Sequence, residues 1–298
     1  MKLLCYIRLG QFPHPKNYHS IQRMCECANI DIEFTQDLEK IQKNNYNILL
    51  SFFDFIDPDI IPKSVKVILG PQLFVIPYGP IIGKLKQELV DKYVYNSLSL
   101  WVKDYVTELS EFIVPIESFP FSVDIDKFRP TKDNKSYDFL VYFKHRIPDL
   151  LQYTIDLLKQ KNLVFKIFRY GSYNEDDYLS SLQNTKSMIV IDAHESQGFA
   201  LQEAMSCNIP LLVLDVTSMY EEYMAESFTY SYLKPKNLYA TSVPYWSDKC
   251  GIKTDRDRLS KDIDRMLKTI EEFEPRQYII ENLSDKVCID RILKYFNI

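Results

Sequence analysis

Met188-Ile189-Val190-Ile191-Asp192-Ala193-His194-Glu195-Ser196-Gln197-Gly198-Phe199-Ala200-Leu201-Gln202-Glu203-Ala204-Met205-Ser206-Cys207-Asn208-Ile209-Pro210 reads as strand, turn and helix. An apolar run ends at Asp192 as a buried strand, a polar turn holding the window's one glycine follows, and a helix runs from Gly198 to Cys207. The first N–H groups of such a helix lack partners and sit at the positive end of its dipole, so an anion such as a pyrophosphate is a natural ligand there. Gly198 would let it approach closely. Two carboxylates flank this point, Glu195 on the turn and Glu203 inside the helix. Carboxylates accept hydrogen bonds from vicinal hydroxyls, so one can hold a sugar while the other holds a ribose.

Outward from this window, short β-rich runs alternate with helical patterns, the signature of βαβ units and parallel sheets. In the first half, strands are predicted near Leu3–Ile7, Asp31–Phe34, Ile48–Phe53, Val65–Leu69, Tyr93–Asn96 and Phe112–Ile116, with helices at Ser20–Ala28, Leu38–Lys43, Lys84–Val90 and Leu100–Leu109. A second series has strands at Tyr137–Phe143, Leu163–Arg169, Met188–Asp192 and Leu211–Val216. Ile147, Leu150, Leu151, Thr154, Ile155 and Leu158 form one apolar helical face after the first of these. Ile263, Met266, Leu267, Ile270 and Phe273 mark another amphipathic helix, interrupted near Pro275.

Proline and polar residues between Glu117 and Ser136 fit an interdomain linker. The predicted organisation is a first Rossmann-like domain over 1–118, a second over 119–275, and a last helical segment over 276–298 that crosses back to the first. The length of 298 residues suits two domains of ordinary size.

Composition narrows the function classes. With 46% hydrophobic and 26% charged residues, the chain is that of a globular protein able to bury large cores. A net charge of -5 argues against a nonspecific nucleic-acid binder, which needs surplus Lys and Arg on one face. Cys5, Cys25, Cys27, Cys207, Cys250 and Cys288 show no paired metal-finger spacing and are read as free thiols of a reducing compartment. No stretch approaches a bilayer-spanning length, so a cytoplasmic protein is expected, with a peripheral membrane contact left open. Sequence says nothing of oligomeric state.

The window resembles the retaining GT-B glycosyltransferases of family 4, whose signature is a Glu, seven residues, and a second Glu followed by Ala-Met, a small residue, Cys or Gly, and soon Pro. Glu195, Gly198, Glu203, Ala204, Met205, Cys207 and Pro210 match it in place. Pro120, Val123, Asp124, Phe128 and Pro130 are similar to the Pro-x-x-Val-Asp-x-x-x-Phe-x-Pro segment of the same family. The resemblance covers the second half of the chain by motif and the first half by architecture.

It implies an α/β fold of two Rossmann-like domains facing a cleft, and transfer of a sugar from a nucleoside-diphosphate sugar to a glycan- or lipid-linked acceptor hydroxyl. Glu203 would bind the donor ribose and Glu195 the transferred sugar, while Gly198, Phe199 and Ala200 would offer N–H groups to the pyrophosphate. Lys144 and Arg146, after the first strand of the second domain, would neutralise the departing diphosphate, although the family's Gly-Arg…Lys-Gly arrangement is missing. Of the Gly-rich loop after the first strand only Gly10 is left. No Asp-x-Asp motif stands in a fitting context, so neither metal nor cofactor is expected.

Other readings stay open. His194 is taken as a surface group, His14 and His19 as structural or exposed ones, and Tyr245 and Trp246 as packing rather than a sugar-stacking wall. A catalytically inactive nucleotide-sugar-binding subunit and a nucleotide-sugar epimerase on the same fold are the alternatives, since fold does not fix reaction.

Overall fold

The structure, a computed structural model, describes residues 1–7, 14–43, 45–52, 54–71, 92–109, 114–131, 135–223 and 239–298. Gly10 and the helix predicted at Lys84–Val90 lie outside the described residues. The chain divides into two compact units, Met1–Ser122 with Asp285–Ile298, and Val123–Ser284.

The first unit is built on strands β1 (Lys2–Tyr6), β2 (Asp31–Thr35), β3 (Ile48–Ser51), β4 (Lys66–Leu69), β5 (Tyr93–Asn96) and β6 (Ile116–Glu117). They lie in the order β2-β1-β3-β4-β5-β6, every neighbouring pair parallel. Strands β3 and β5 are buried at every residue, as expected where helices cover both faces of a parallel sheet. The helices described here are α1 (Pro15–Cys27), α2 (Leu38–Gln42) and α3 (Leu100–Leu109).

The second unit repeats this plan. Strands β7 (Tyr137–Lys144), β8 (Phe165–Arg169), β9 (Thr185–Asp192), β10 (Leu211–Leu214) and β11 (Gly251–Thr254) take the order β11-β10-β9-β7-β8, again all parallel. Between and after them come α4 (Pro148–Gln160), α5 (Glu175–Gln183), α6 (Phe199–Ser206), α7 (Leu259–Thr269) and α8 (Pro275–Leu283). Leu150, Leu151 and Leu158 of α4 and Leu259, Ile263 and Met266 of α7 join Val141, Ile189, Leu212 and Ile252 from the strands in one core. Each such side chain contributes about 1.5–3 kcal/mol by leaving water. Ile147 does not share that face: it caps α4 and is exposed, because Pro148 starts the helix one residue after it. Among the described residues no helix is long and apolar enough to cross a membrane.

Two features differ from the sequence-based expectation. The C-terminal segment is two helices rather than one, since Ser284 is extended and separates α8 from α9 (Asp285–Phe296). Helix α8 stays with the second unit: Arg276 donates to the carbonyls of Ile125, Phe128 and Ser206 at 3.1, 3.1 and 2.6 Å. Helix α9 belongs to the first, where Asp285 pairs with Arg23 at 3.4 Å and accepts from Ser122, and Tyr295 meets Phe119 edge-on. The domain boundary near the end of the chain therefore falls after Ser284 and not after residue 275.

The second difference is β11, a four-residue strand that the sequence-based series, ending at Leu211–Val216, does not include. Its position depends on Gly251, which has φ +143 and sits so close to β10 that a Cβ would lie 2.0 Å from the Leu211 carbonyl oxygen. Gly251→Ala is expected to destabilise the protein by about 3 kcal/mol or more, through backbone strain plus the clash. A urea titration checks this, and an unchanged midpoint would refute the close pairing.

Candidate functional site

The order of the second sheet locates the site. Strand β7 lies between β8 and β9, so the connection leaving β7 and the one leaving β9 run to opposite sides. A crevice opens at the carboxyl ends of two such strands, the usual ligand position in doubly wound sheets. Lys144, the last residue of β7, is in register with Asp192, the last of β9. Geometry thus brings together a cation and an acid that are far apart in sequence.

Lys144 Nζ donates to Glu195 Oε1 at 2.5 Å and lies 4.6 Å from the centroid of the Tyr170 ring. The two paired side chains are only 13% and 15% exposed. Burial works against the Lys144 charge, yet the negative charge that the neighbouring acids share outweighs it and holds the ammonium above its ordinary range. Burial likewise opposes the Glu195 charge, and Lys144 overcomes it, so this carboxylate lies below its usual range. Burial pushes Asp192 well above its own, with Glu195 adding to the shift and Lys144 opposing it.

Helix α6 starts beside this pair. Gly198 is its N-cap in the left-handed region at φ +83, with no side-chain cap hydrogen bond on the helix. A Cβ at Gly198 would meet Glu195 Cβ at 3.4 Å, so glycine both adopts the turn and leaves room for Glu195. Phe199 and Ala200 form the first turn. Glu203 is 3% exposed inside α6, near Tyr178 and Cys207, whose pKa values are raised chiefly by burial and further by its charge.

Arg146 is placed differently from Lys144. Its Nη1 donates to the carbonyls of Asp192 and Leu214, each at 3.2 Å, and its Nη2 to Glu221 at 3.3 Å. The guanidinium therefore ties the ends of β9 and β10 together, and burial lowers its pKa against the pull of Glu221. Ser242 reinforces the same edge through the Asp192 carbonyl at 2.8 Å, while Asp215 accepts from Thr241 and from the Ser242 N–H and pairs with Lys253 at 2.7 Å.

Several of these residues were not singled out from sequence. Glu222, buried after β10, hydrogen-bonds His145 Nδ1 and His194 Nε2 at 3.0 Å each. Burial opposes its charge, and His194 followed by His145 holds the carboxylate below its usual range. The expectation of a surface His194 is corrected: its side chain is 8% exposed because Glu222 receives it at the sheet edge. Asp192 and Asp215 were open to a positional reading, since they stand at the carboxyl ends of the apolar strands β9 and β10, whereas Glu222 lies beyond β10 with no such mark. His19 is exposed, as expected, and lines a cavity of about 570 Å³ in the first unit together with Ile7, Tyr18, Phe34 and Thr35. Trp246 stands 5.6 Å from Lys253 Nζ, so it packs on β11. Among the described residues no group of three or more His, Cys, Asp or Glu side chains could hold a metal ion.

No protein-family model and no curated protein sequence matches the chain. Among solved structures it is similar over its full length to AviGT4, a glycosyltransferase involved in avilamycin A biosynthesis, with TM-score 0.57, 9% identity and 97% of that chain covered. It is similar to Anabaena HepE in complex with UDP and glucose, at TM-score 0.58, 9% identity and 99% coverage of that chain. Sucrose-phosphate synthase from Thermosynechococcus elongatus aligns at TM-score 0.56, 9% identity and 98% coverage. All of this chain is covered in each case. At such identity the likeness establishes fold, and the fold is GT-B: two Rossmann-like domains, each on its own parallel sheet.

Arg146→Ala should lower stability by about 1–3 kcal/mol, because two buried carbonyls and Glu221 lose their donor. Arg146→Lys should recover little of it, since one ammonium cannot reproduce the fork. Chemical denaturation checks both; full stability in Arg146→Ala would remove the structural role.

Proposed function

We propose that this chain is a glycosyltransferase that moves a sugar from a nucleoside-diphosphate sugar to an acceptor hydroxyl, with retention and without a metal. The observation that carries it is the buried Lys144–Glu195 pair at the β7/β9 switch point, beside a helix start that only Gly198 caps. A sugar diphosphate needs those three things: a cation and aligned N–H groups for the phosphates, and an acceptor of hydroxyl protons for the sugar. The GT-B fold, and a neighbour of that fold solved with UDP and glucose, support the same reading.

In this reading the diphosphate takes Lys144 and the N–H groups of Gly198, Phe199 and Ala200, Glu195 accepts from the sugar hydroxyls, and Glu203 takes the ribose. Arg146 keeps the strand ends in place and adds positive potential behind Lys144. The glycosidic C–O bond to the leaving phosphate breaks on the face where the acceptor oxygen bonds, and that phosphate accepts the acceptor's proton. Positioning and stabilisation of the leaving diphosphate supply the rate enhancement. The acceptor is assigned to the first domain, where Tyr18 and Phe34 line the cavity at the carboxyl edge of its sheet with flat rings suited to sugar C–H faces.

A panel of UDP-, GDP- and dTDP-sugars tests this by thermal shift and slow donor hydrolysis. Glu203→Ala should weaken donor binding about 10- to 100-fold, the loss of charge-assisted hydrogen bonds. Glu195→Ala should lower turnover about 100- to 1000-fold with a smaller effect on binding. Parent-like binding and turnover in both variants would refute the assignment, and donor stabilisation without hydrolysis or transfer would favour a nucleotide-sugar-binding subunit.

Hydrolysis by the parent should be undiminished in EDTA. A loss restored by a divalent cation would overturn the metal-free part of the mechanism.

A further inference from the structure

Asp192 ends β9 with a side chain that the mechanism above leaves unused. It is fully buried, and its Oδ1 accepts the N–H of Ala193 at 2.7 Å. Its Oδ2 is buried too and receives no hydrogen bond from any described donor. The titratable groups that face it are Tyr142 and Lys144 from β7, Arg146 from the turn after β7, and Glu195 from the turn after β9. Lys144 donates to Glu195, and Arg146 meets Asp192 at its backbone carbonyl and not at its carboxyl. Beside the buried Asp192 carboxyl lies another acid, Glu195, close enough for each to act on the other's ionisation.

Two buried carboxylates in contact do not both stay ionised. The charge belongs on Glu195, which holds the lysine and keeps some exposure, rather than on the fully enclosed Asp192. A proton on Asp192 also gives Oδ2 something to donate.

We propose that Asp192 is a carboxylic acid in the working protein and donates its proton in a hydrogen bond to Glu195, fixing that carboxylate between an acid and Lys144. Asp192 is thus a positioning residue for the transferred sugar, acting through Glu195, and this role rests on the transferase reading. Burial, the leading cause of the upward shift at Asp192, works in the same direction.

The test compares the parent with D192N and D192A. An amide at 192 still donates to Glu195, so D192N should hydrolyse donor within about threefold of the parent, whereas D192A should lose about tenfold or more in kcat. The parent should also lose activity at alkaline pH as Asp192 gives up its proton and repels Glu195, a limb absent from the D192N profile. Independently of activity, infrared difference spectra of parent against D192N at neutral pH should show the carbonyl stretch of a buried carboxylic acid in the parent alone. Absence of that band overturns the proposal, as does a D192N variant as impaired as D192A. If the parent turns over no donor, the transferase reading fails, and the band still decides whether Asp192 carries the proton. Should D192A not fold, the D192N profile and the band decide together.

Discussion

A parallel strand pair, β7 with β9, fixes where charge can gather in this protein. Parallel pairing forces both strands to end on the same edge, and the register sets Lys144 opposite Asp192. The chain leaves these strands in opposite directions, because β8 lies on one side of β7 and β10 on the far side of β9. Doubly wound sheets place their ligand crevice where two such paths part, and the ends of β7 and β9 stand at that point, with Asp192 itself buried beneath it. Glu195, Gly198 and the start of α6 then follow β9 within a few residues and have to line it.

Around that crevice the supporting contacts are as specific as the candidate ligand groups. Arg146, Ser242, Asp215 and Lys253 connect the carboxyl ends of β9, β10 and β11 through carbonyls and one ion pair. Glu222 brings His145 and His194 to the same rim, and the Tyr223 N–H donates to the His145 carbonyl at 2.7 Å. Such contacts restrict the rotamers of neighbouring groups, as a preorganised site requires.

Much of this was legible in the sequence because burial on both faces leaves a simple mark. Runs such as Ile48-Leu49-Leu50 and Met188-Ile189-Val190-Ile191 fit a strand covered on both sides and little else, and Gly198 between two acids marked the start of α6. The rest depended on partners distant in sequence. His194 was legible only as a loop histidine, since Glu222 is 28 residues away and carries no local signal. Arg146 and Lys144 look alike in sequence, but one side chain reaches carbonyls of two neighbouring strands and the other a carboxylate. The break at Ser284 separates two helices with similar apolar patterns, so periodicity alone joins them. Strand β11 escaped because four residues at a sheet edge give no period, and its close approach is set by a missing side chain.

The Lys144–Glu195 pair is a poor way to stabilise a fold. Removing two charges from water costs several kcal/mol per ion, and their attraction roughly offsets that only with good geometry and further hydrogen bonds. An apolar pair of similar size would hold β7 and the turn at least as well. The arrangement makes better sense as a site kept in readiness, because each charge already has a partner and needs no fresh desolvation when a ligand arrives. A dianionic diphosphate can take the lysine while sugar hydroxyls take the carboxylate, so the exchange replaces one set of charge-assisted contacts with another. On the proposed reading, selectivity would follow from the same balance: a ligand offering only one of the two chemistries would leave the other charge buried and unpaired, a penalty that a nucleoside-diphosphate sugar avoids.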